Sequence, residues 1–457
     1  MHGHSASKGR AIPTVAPDEH PLSYFLLLSY LLLLFLRPFD LVPALKVLHL
    51  PMVTGSLCLA TYIWGRFSTG QPVIPVSPMT KSLTALSVWV LITIPFAFWI
   101  SGSITAFWND WLKMVILFLL LGNVLQSPRQ VQAALWVSIV GAACISSIAI
   151  ALKVLLGESV AEGRLVSDAS GLYSGPNFFS MTLILLLPYV LFFFFLHKKL
   201  WVRLFAGFAV IAFTIANMLT ESRAGVIGET LVTLLVFWRL RDWGVSLVKT
   251  TACVLVGAVL FLPLAPKGLW ERFSTLFVST DVNTLDRNSA AGSALGSKRQ
   301  REELIVRALI LTSENPIFGV GMNNFAAAAH DRFNTGAEDW VGCHDTFLQI
   351  SSELGIPGLL LYLWLLHAAW STVRSARNGG LRAEDDSDDA SQFWLLSDAT
   401  VISFLGYVLF STLAHLGYQP YFFFVAGIGE SLRNIFPSMV SRSVVNTGVD
   451  VGAFAVR

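Results

Sequence analysis

"VGCHDTFLQISSELGIPGLLLYLW", Val341–Trp364, decides how this chain is read. Its right half is an apolar run of the kind that crosses a bilayer, which takes about 20 helical residues for ~30 Å of hydrocarbon. Its left half puts His344 and Asp345 at the mouth of that helix and Glu353 within the apolar run. Ionisable groups so placed are costly unless they have partners or a task. The segment predicts a membrane helix with chemistry at one end.

The rest of the chain agrees. Of its 457 residues, 54% are hydrophobic and 13% charged, and the mean hydropathy is +0.64. This is the composition of a membrane protein. A net charge of +2 points to neither nucleic acid nor an acidic substrate. Of the four cysteines, Cys58, Cys144 and Cys253 sit within apolar runs and read as small core residues.

Apolar windows predict about twelve spans, near 22–38, 44–64, 82–101, 109–125, 131–156, 177–196, 200–219, 224–240, 245–265, 346–370, 393–416 and 420–436. The expected fold is an all-α, polytopic membrane protein. Leu22–Leu36 runs into Arg37 and Pro38 with no small-x-small cleavage site, so it reads as a retained first span. Arg66, Lys81, Arg129, Lys198, Lys199, Arg239, Arg241, Arg374, Arg377 and Arg382 fall on one side if the N-terminus is cytoplasmic. The chain then divides into a cytoplasmic tail (1–21), spans one to nine (22–265), a large periplasmic loop (266–345), spans ten to twelve (346–436) and a second cytoplasmic tail (437–457). Within the large loop, "REELIVRALILTS", Arg301–Ser313, is helical but too short to span. It is expected to lie on the membrane surface or re-enter partway. "GVGMNNF", Gly319–Phe325, reads as a flexible turn.

Four places on the outer side could carry chemistry. In "LTESRAGVIG", Arg223 stands at the first turn of a span with Ser222 as N-cap. Its guanidinium fork suits phosphate oxygens, and snorkelling to lipid headgroups is the plainer alternative. "SKRQREELIVRAL" clusters Lys298, Arg299, Arg301 and Arg307 on the side where the positive-inside rule disfavours them; a solvated charged face is the plain reading. In the opening stretch, Asp345 is placed to cap the helix, leaving His344 near its positive end, a field that favours the neutral imidazole a general base needs. Glu353 lies on the opposite helix face from His344 and pairs by spacing with Gln349. Finally, "GRLVSDASGLYSGPNFF" holds Arg164, and Asn177 at the start of a span, where it could simply be a cap. The acidic "EDDSDDA", Glu384–Ala390, falls on the cytoplasmic side and reads as a solvated run. Neither a dinucleotide fingerprint, nor a P-loop, nor a metal-ligand spacing is present.

Taken in order, "SRAG", an "R…AL…ENPIFGVGMNNF" segment and "HDTFLQISSELGIPG" resemble the motifs of the O-antigen ligase/polymerase superfamily of bacterial envelope proteins. The resemblance is best over about 160–365. It implies that Arg223, Arg301 and His344 are catalytic, with Arg164, Asn177, Arg299, Asn324 and Glu353 around the substrate. Asp345 stands where the family usually has asparagine, and Ile305 where an aromatic is common, which leaves Arg299 as the alternative to Arg301. The resemblance further implies a glycosyltransferase of the bacterial inner membrane, working at the periplasmic face without metal or cofactor. Its donor would be a glycan on undecaprenyl diphosphate, and its acceptor lipid A–core or another glycan. A polysaccharide polymerase is the nearest alternative, followed by a protein O-oligosaccharyltransferase. From another class comes a small-anion transporter, which should gather its polar groups near the midplane.

Overall fold

The computed structural model describes residues 21–156, 171–173, 175–246, 266–274, 290–334, 341–378 and 388–447, with isolated positions 248, 252 and 257. Most of the expected ninth span (245–265), and the loop holding Arg164, lie outside the described residues. The described residues are helical, and eight helices are long and apolar enough to cross a membrane.

The principal helices are α1 (Pro21–Leu36), α2 (Leu50–Ser68), α3 (Pro78–Thr93), α4 (Leu112–Val124), α5 (Pro128–Ala151), α6 (Pro176–Leu196), α7 (Leu200–Leu219) and α8 (Arg223–Leu240). The loop region supplies α9 (Ala290–Glu314) and α10 (Phe325–Phe333); α11 (Thr346–Asn378), α12 (Asp388–Ser411) and α13 (Pro420–Thr447) follow. Helix α6, "PNFFSMTLILLLPYVLFFFFL", is apolar all round and lies at the centre, packed against α7, α8 and α12. A helix without a polar face has to be enclosed on every side. Pro188 within α6 removes one N–H from its ladder. Close by, the Ser403 hydroxyl of α12 donates to the Leu185 carbonyl at 2.7 Å, tying the two innermost spans together.

Three expectations need correction. Cys144 is exposed on the flank of α5, not in the core, because hydropathy does not separate a lipid-facing surface from a protein-facing one. Helix α13 runs to Thr447, well past the expected end of the last span at 436. The tenth span is not one continuous helix: α11 is broken at Gly355, with φ 72° and ψ −177°, a region closed to side-chain-bearing residues.

The break is built by exchange of hydrogen bonds. Pro357 has no N–H to offer the Glu353 carbonyl four residues back. That carbonyl instead accepts from Gly321 N at 2.9 Å, and the Ser352 carbonyl accepts from Val320 N at 2.9 Å. In return Ile356 N donates to the Pro316 carbonyl at 2.8 Å. Trp89 Nε1 of α3 donates to the Leu354 carbonyl at 2.9 Å. Residues 316–321 thus enter the helix ladder as a replacement strand of donors and acceptors, and the expected flexible turn is pinned. Phe318 completes the seat by stacking on Phe96, with ring centroids 4.0 Å apart.

A Cβ at Gly355 would fall 2.0 Å from the Ile317 carbonyl oxygen. Gly355→Ala should therefore cost more than about 3 kcal/mol, combining a forbidden backbone region with a direct clash. Gly296→Ala, on the open face of α9, should be neutral or stabilising by up to about 1 kcal/mol. Thermal unfolding of the two variants in one detergent should separate them clearly; similar melting temperatures would show that the break is not required.

Candidate functional site

The site is assembled at the end of the bundle where α8 and α11 begin and α12 ends. Helix α9 contributes through a single stripe. Leu304, Ala308 and Leu311 are buried together with Val320, Phe325, Ala328, Ala329 and Cys343 in a small core separate from the membrane bundle. Arg301 lies on the same stripe, three residues before Leu304, so it approaches the segment that carries Cys343 and His344. Arg299 is about 200° away around the helix; its side chain is 71% exposed and faces Glu303 at 3.5 Å. Of the two candidate arginines, Arg301 is the one turned inward. Ile305 lies on the outer side, exposed with Val306 and Leu309.

His344 occupies the left-handed backbone region, φ 56°, immediately before α11. Asp345 caps that helix as expected, its Oδ1 accepting from Leu348 N at 2.8 Å. The imidazole is held at about pKa 3, first by burial, then by the neighbouring His415, then by the positive charge of Arg301. Desolvation therefore acts on the ring in the same direction as the field at the helix end. The same desolvation, set against backbone N–H donors from Leu348 and Phe347, raises Asp345 above the usual carboxylate range.

Arg223 opens α8 through a local network. The Ser222 hydroxyl accepts from Gly225 N at 3.1 Å, the N-cap bond that starts the helix. It also donates to Asn177 Oδ1 at 2.7 Å, joining the start of α8 to the start of α6. The small residues after Arg223 allow that approach: a Cβ on Gly225 would lie 2.4 Å from Asn217 Oδ1 and 2.6 Å from Ser180 Oγ. Asn177 therefore sets where Arg223 emerges.

Asn324 and Glu353, expected beside the substrate, are committed elsewhere. Glu353 is buried and accepts from Asn323 N at 2.9 Å and Phe325 N at 3.1 Å. Asn324 donates to the Trp99 and Val320 carbonyls, both at 3.1 Å. Both hold the 316–325 turn under the site.

One residue was missed. His415 follows the end of α12, and its ring lies edge-on to His344 with centroids 5.2 Å apart. On its other side it meets Phe178, the neighbour of Asn177, at 5.4 Å. The path His344–His415–Phe178–Asn177–Ser222 connects the histidine segment to the start of the Arg223 helix. Nδ1 of each histidine is buried without a hydrogen-bond partner. Leaving such a nitrogen bare costs about 1–3 kcal/mol. A signal for His415 exists in the sequence: it is an ionisable residue at the very end of the apolar run 393–416, just before "GYQP".

The arrangement offers a neutral imidazole within the field of the Arg301 guanidinium, a combination suited to deprotonating a hydroxyl next to an anion. No curated protein matches the chain. A family model described as O-Antigen ligase does match residues 208–363, from within α7 through Arg223, Arg301 and His344 into α11. This polytopic helical protein therefore carries the domain of the O-antigen ligase superfamily, within which all three candidate catalytic residues fall.

Proposed function

We propose that the chain is an inverting glycosyltransferase of the bacterial inner membrane. It moves a glycan from undecaprenyl diphosphate to an acceptor hydroxyl, of lipid A–core type, at the periplasmic face. The observation that carries this reading is the neutral, half-buried imidazole of His344 under the charge of Arg301, within the matched domain.

The donor's prenyl tail stays in the bilayer and its diphosphate sits at the outer surface. Arg223 and Arg301 clamp the diphosphate oxygens with planar, permanently charged forks. The acceptor oxygen attacks the anomeric carbon from the face opposite the diphosphate, its proton passing to His344. The anomeric carbon–oxygen bond breaks, and undecaprenyl diphosphate leaves with the electron pair, its charge met by the two guanidinium groups. The imidazolium then returns its proton to water.

Charge couples the two halves of the site. Arg301 adds its charge to the burial and the neighbouring His415 that hold His344 near pKa 3. The diphosphate offsets that positive charge, so donor binding raises the basicity of His344 when a base is needed.

His344→Ala should lower transfer by about 100-fold or more while leaving expression and membrane insertion intact. Full activity in washed membranes would remove the base assignment. Arg223→Lys should also fail, because lysine offers a point charge in place of a fork; near-normal transfer would reduce Arg223 to a headgroup contact. Deleting the gene and resolving the lipid-linked glycans on gels tests the acceptor class. Long chains accumulating on the carrier fit a ligase, whereas a single capped repeat unit would indicate a polymerase.

The pH profile follows from the lowered pKa. A histidine at its ordinary value near 6.5 would lose its base form, and kcat/KM with it, below about pH 6. Held near 3 in the free enzyme, His344 keeps the base form, so kcat/KM for the donor should stay flat from about pH 8 down to about pH 5. A fall centred near pH 6.5 would place the working base elsewhere.

A further inference from the structure

We infer that His415 is a second substrate-contacting group of this pocket, an imidazole whose unpartnered nitrogen hydrogen-bonds a hydroxyl of the transferred or accepting sugar. The inference rests on the glycosyl-transfer reading and extends it to the recognition of the glycan.

The position of His415 is built rather than incidental. Thr346, the first residue of α11, fastens the chain on both sides of it. Its hydroxyl donates to the Ala414 carbonyl at 2.7 Å and accepts from Leu416 N at 2.9 Å. One helix turn later, Gln349 Oε1 accepts from Gly417 N at 3.3 Å. The backbone before His344 closes over the ring, so that a Cβ on Gly342 would fall 2.9 Å from its Cδ2 and Nε2. His344 and Phe178 meet the ring at close to right angles, at 67° and 87°. A phenylalanine would satisfy every one of these packing contacts. What histidine adds is polar nitrogen, and its Nδ1 is buried with no partner inside the protein.

The chemistry of that nitrogen selects the ligand. Burial holds His415 near pKa 4, so the ring is neutral at physiological pH. In a neutral imidazole the bare Nδ1 either donates or accepts according to tautomer, and an alcohol can serve it in either state because a hydroxyl both donates and accepts. The neutral ring gives no charge to a diphosphate, which the arginines serve better. A sugar hydroxyl is thus the matching group, and its distance from His344 places it near the reacting oxygen.

The test uses the purified full chain in detergent, with lipid-linked glycan and acceptor lipid extracted from membranes of a strain lacking the gene. His415→Phe keeps the ring and removes both nitrogens; His415→Asn restores an amide near the Nδ1 position. For His415→Phe, KM should rise about tenfold, the loss of one hydrogen bond. A rise against the acceptor lipid assigns the contact to the accepting sugar, and a rise against the donor assigns it to the transferred one. His415→Asn should recover most of the loss. The second readout needs no turnover: the extract should raise the melting temperature of wild type and His415→Asn but shift His415→Phe much less. Wild type that is stabilised by the extract yet transfers nothing would defeat the glycosyltransferase reading while the binding role still stands on the melting shifts. His415→Phe with wild-type KM and an undiminished melting shift would overturn the inference. So would a His415→Phe chain that melts well below wild type without extract yet keeps the full ligand shift, since the ring would then be packing alone.

Discussion

The break in α11 is the constraint on which the site depends. A continuous helix through Gly355 would direct every carbonyl of its first turns along its own axis and leave nothing to hold the 316–321 segment. Because Gly355 and Pro357 interrupt the ladder, the Ser352 and Glu353 carbonyls become acceptors for Val320 and Gly321. An unmet backbone carbonyl near the membrane costs several kcal/mol, so the exchange is obligatory rather than optional. It fixes the turn, and the turn fixes α9, whose buried stripe continues to Arg301. The same carboxylate, Glu353, anchors Asn323 and Phe325 from below. The approach of Arg301 to His344 is therefore a consequence of backbone hydrogen bonding far from either side chain.

Burial does two things at once at this end of the bundle. It keeps both imidazoles neutral, which is what a base and a sugar contact require. It also strengthens electrostatics between fixed charges and whatever enters, since the effective dielectric is low. The arginines meanwhile stay charged, because the guanidinium does not deprotonate in proteins. Desolvation thus separates the two residue types: histidine loses its proton and arginine does not.

What could be read in the sequence follows the same physics. The N-caps Ser222 and Asp345 are local signals carried by spacing, and both appear where spacing puts them, while about twelve apolar windows are met by eight helices long and apolar enough to cross a membrane among the described residues. Glu353, on the face away from His344, is legible as a supporting group, but that it and Asn324 hold the backbone of the 316–325 turn is revealed only by tertiary contacts. Cys144 was misread because an apolar helix looks alike whether it faces lipid or protein. The choice between Arg299 and Arg301 needed the direction of the α9 stripe toward Cys343, a long-range fact. His415 was overlooked for a similar reason: its neighbours His344 and Phe178 are remote in sequence and meet it only in the folded bundle.

The opposite end of the same helices carries a polar cluster of a different kind. There Asp398 of α12 is buried and fully engaged, receiving Arg239 Nε of α8 at 2.9 Å, Arg377 Nε of α11 at 3.1 Å and Trp243 Nε1 at 3.0 Å. Removing one partner from such a cluster would strand a buried charge, so its purpose is to lock three spans together. At the His344 end, α8, α11 and α12 meet again, yet there the two buried histidine nitrogens find no partner within the protein. Buried polar atoms without a partner occur beside the Asp398 end too, at Thr372 Oγ1 and Ser397 Oγ, so the histidine pair is set apart by its chemistry and by the nearby charge of Arg301 rather than by bareness alone.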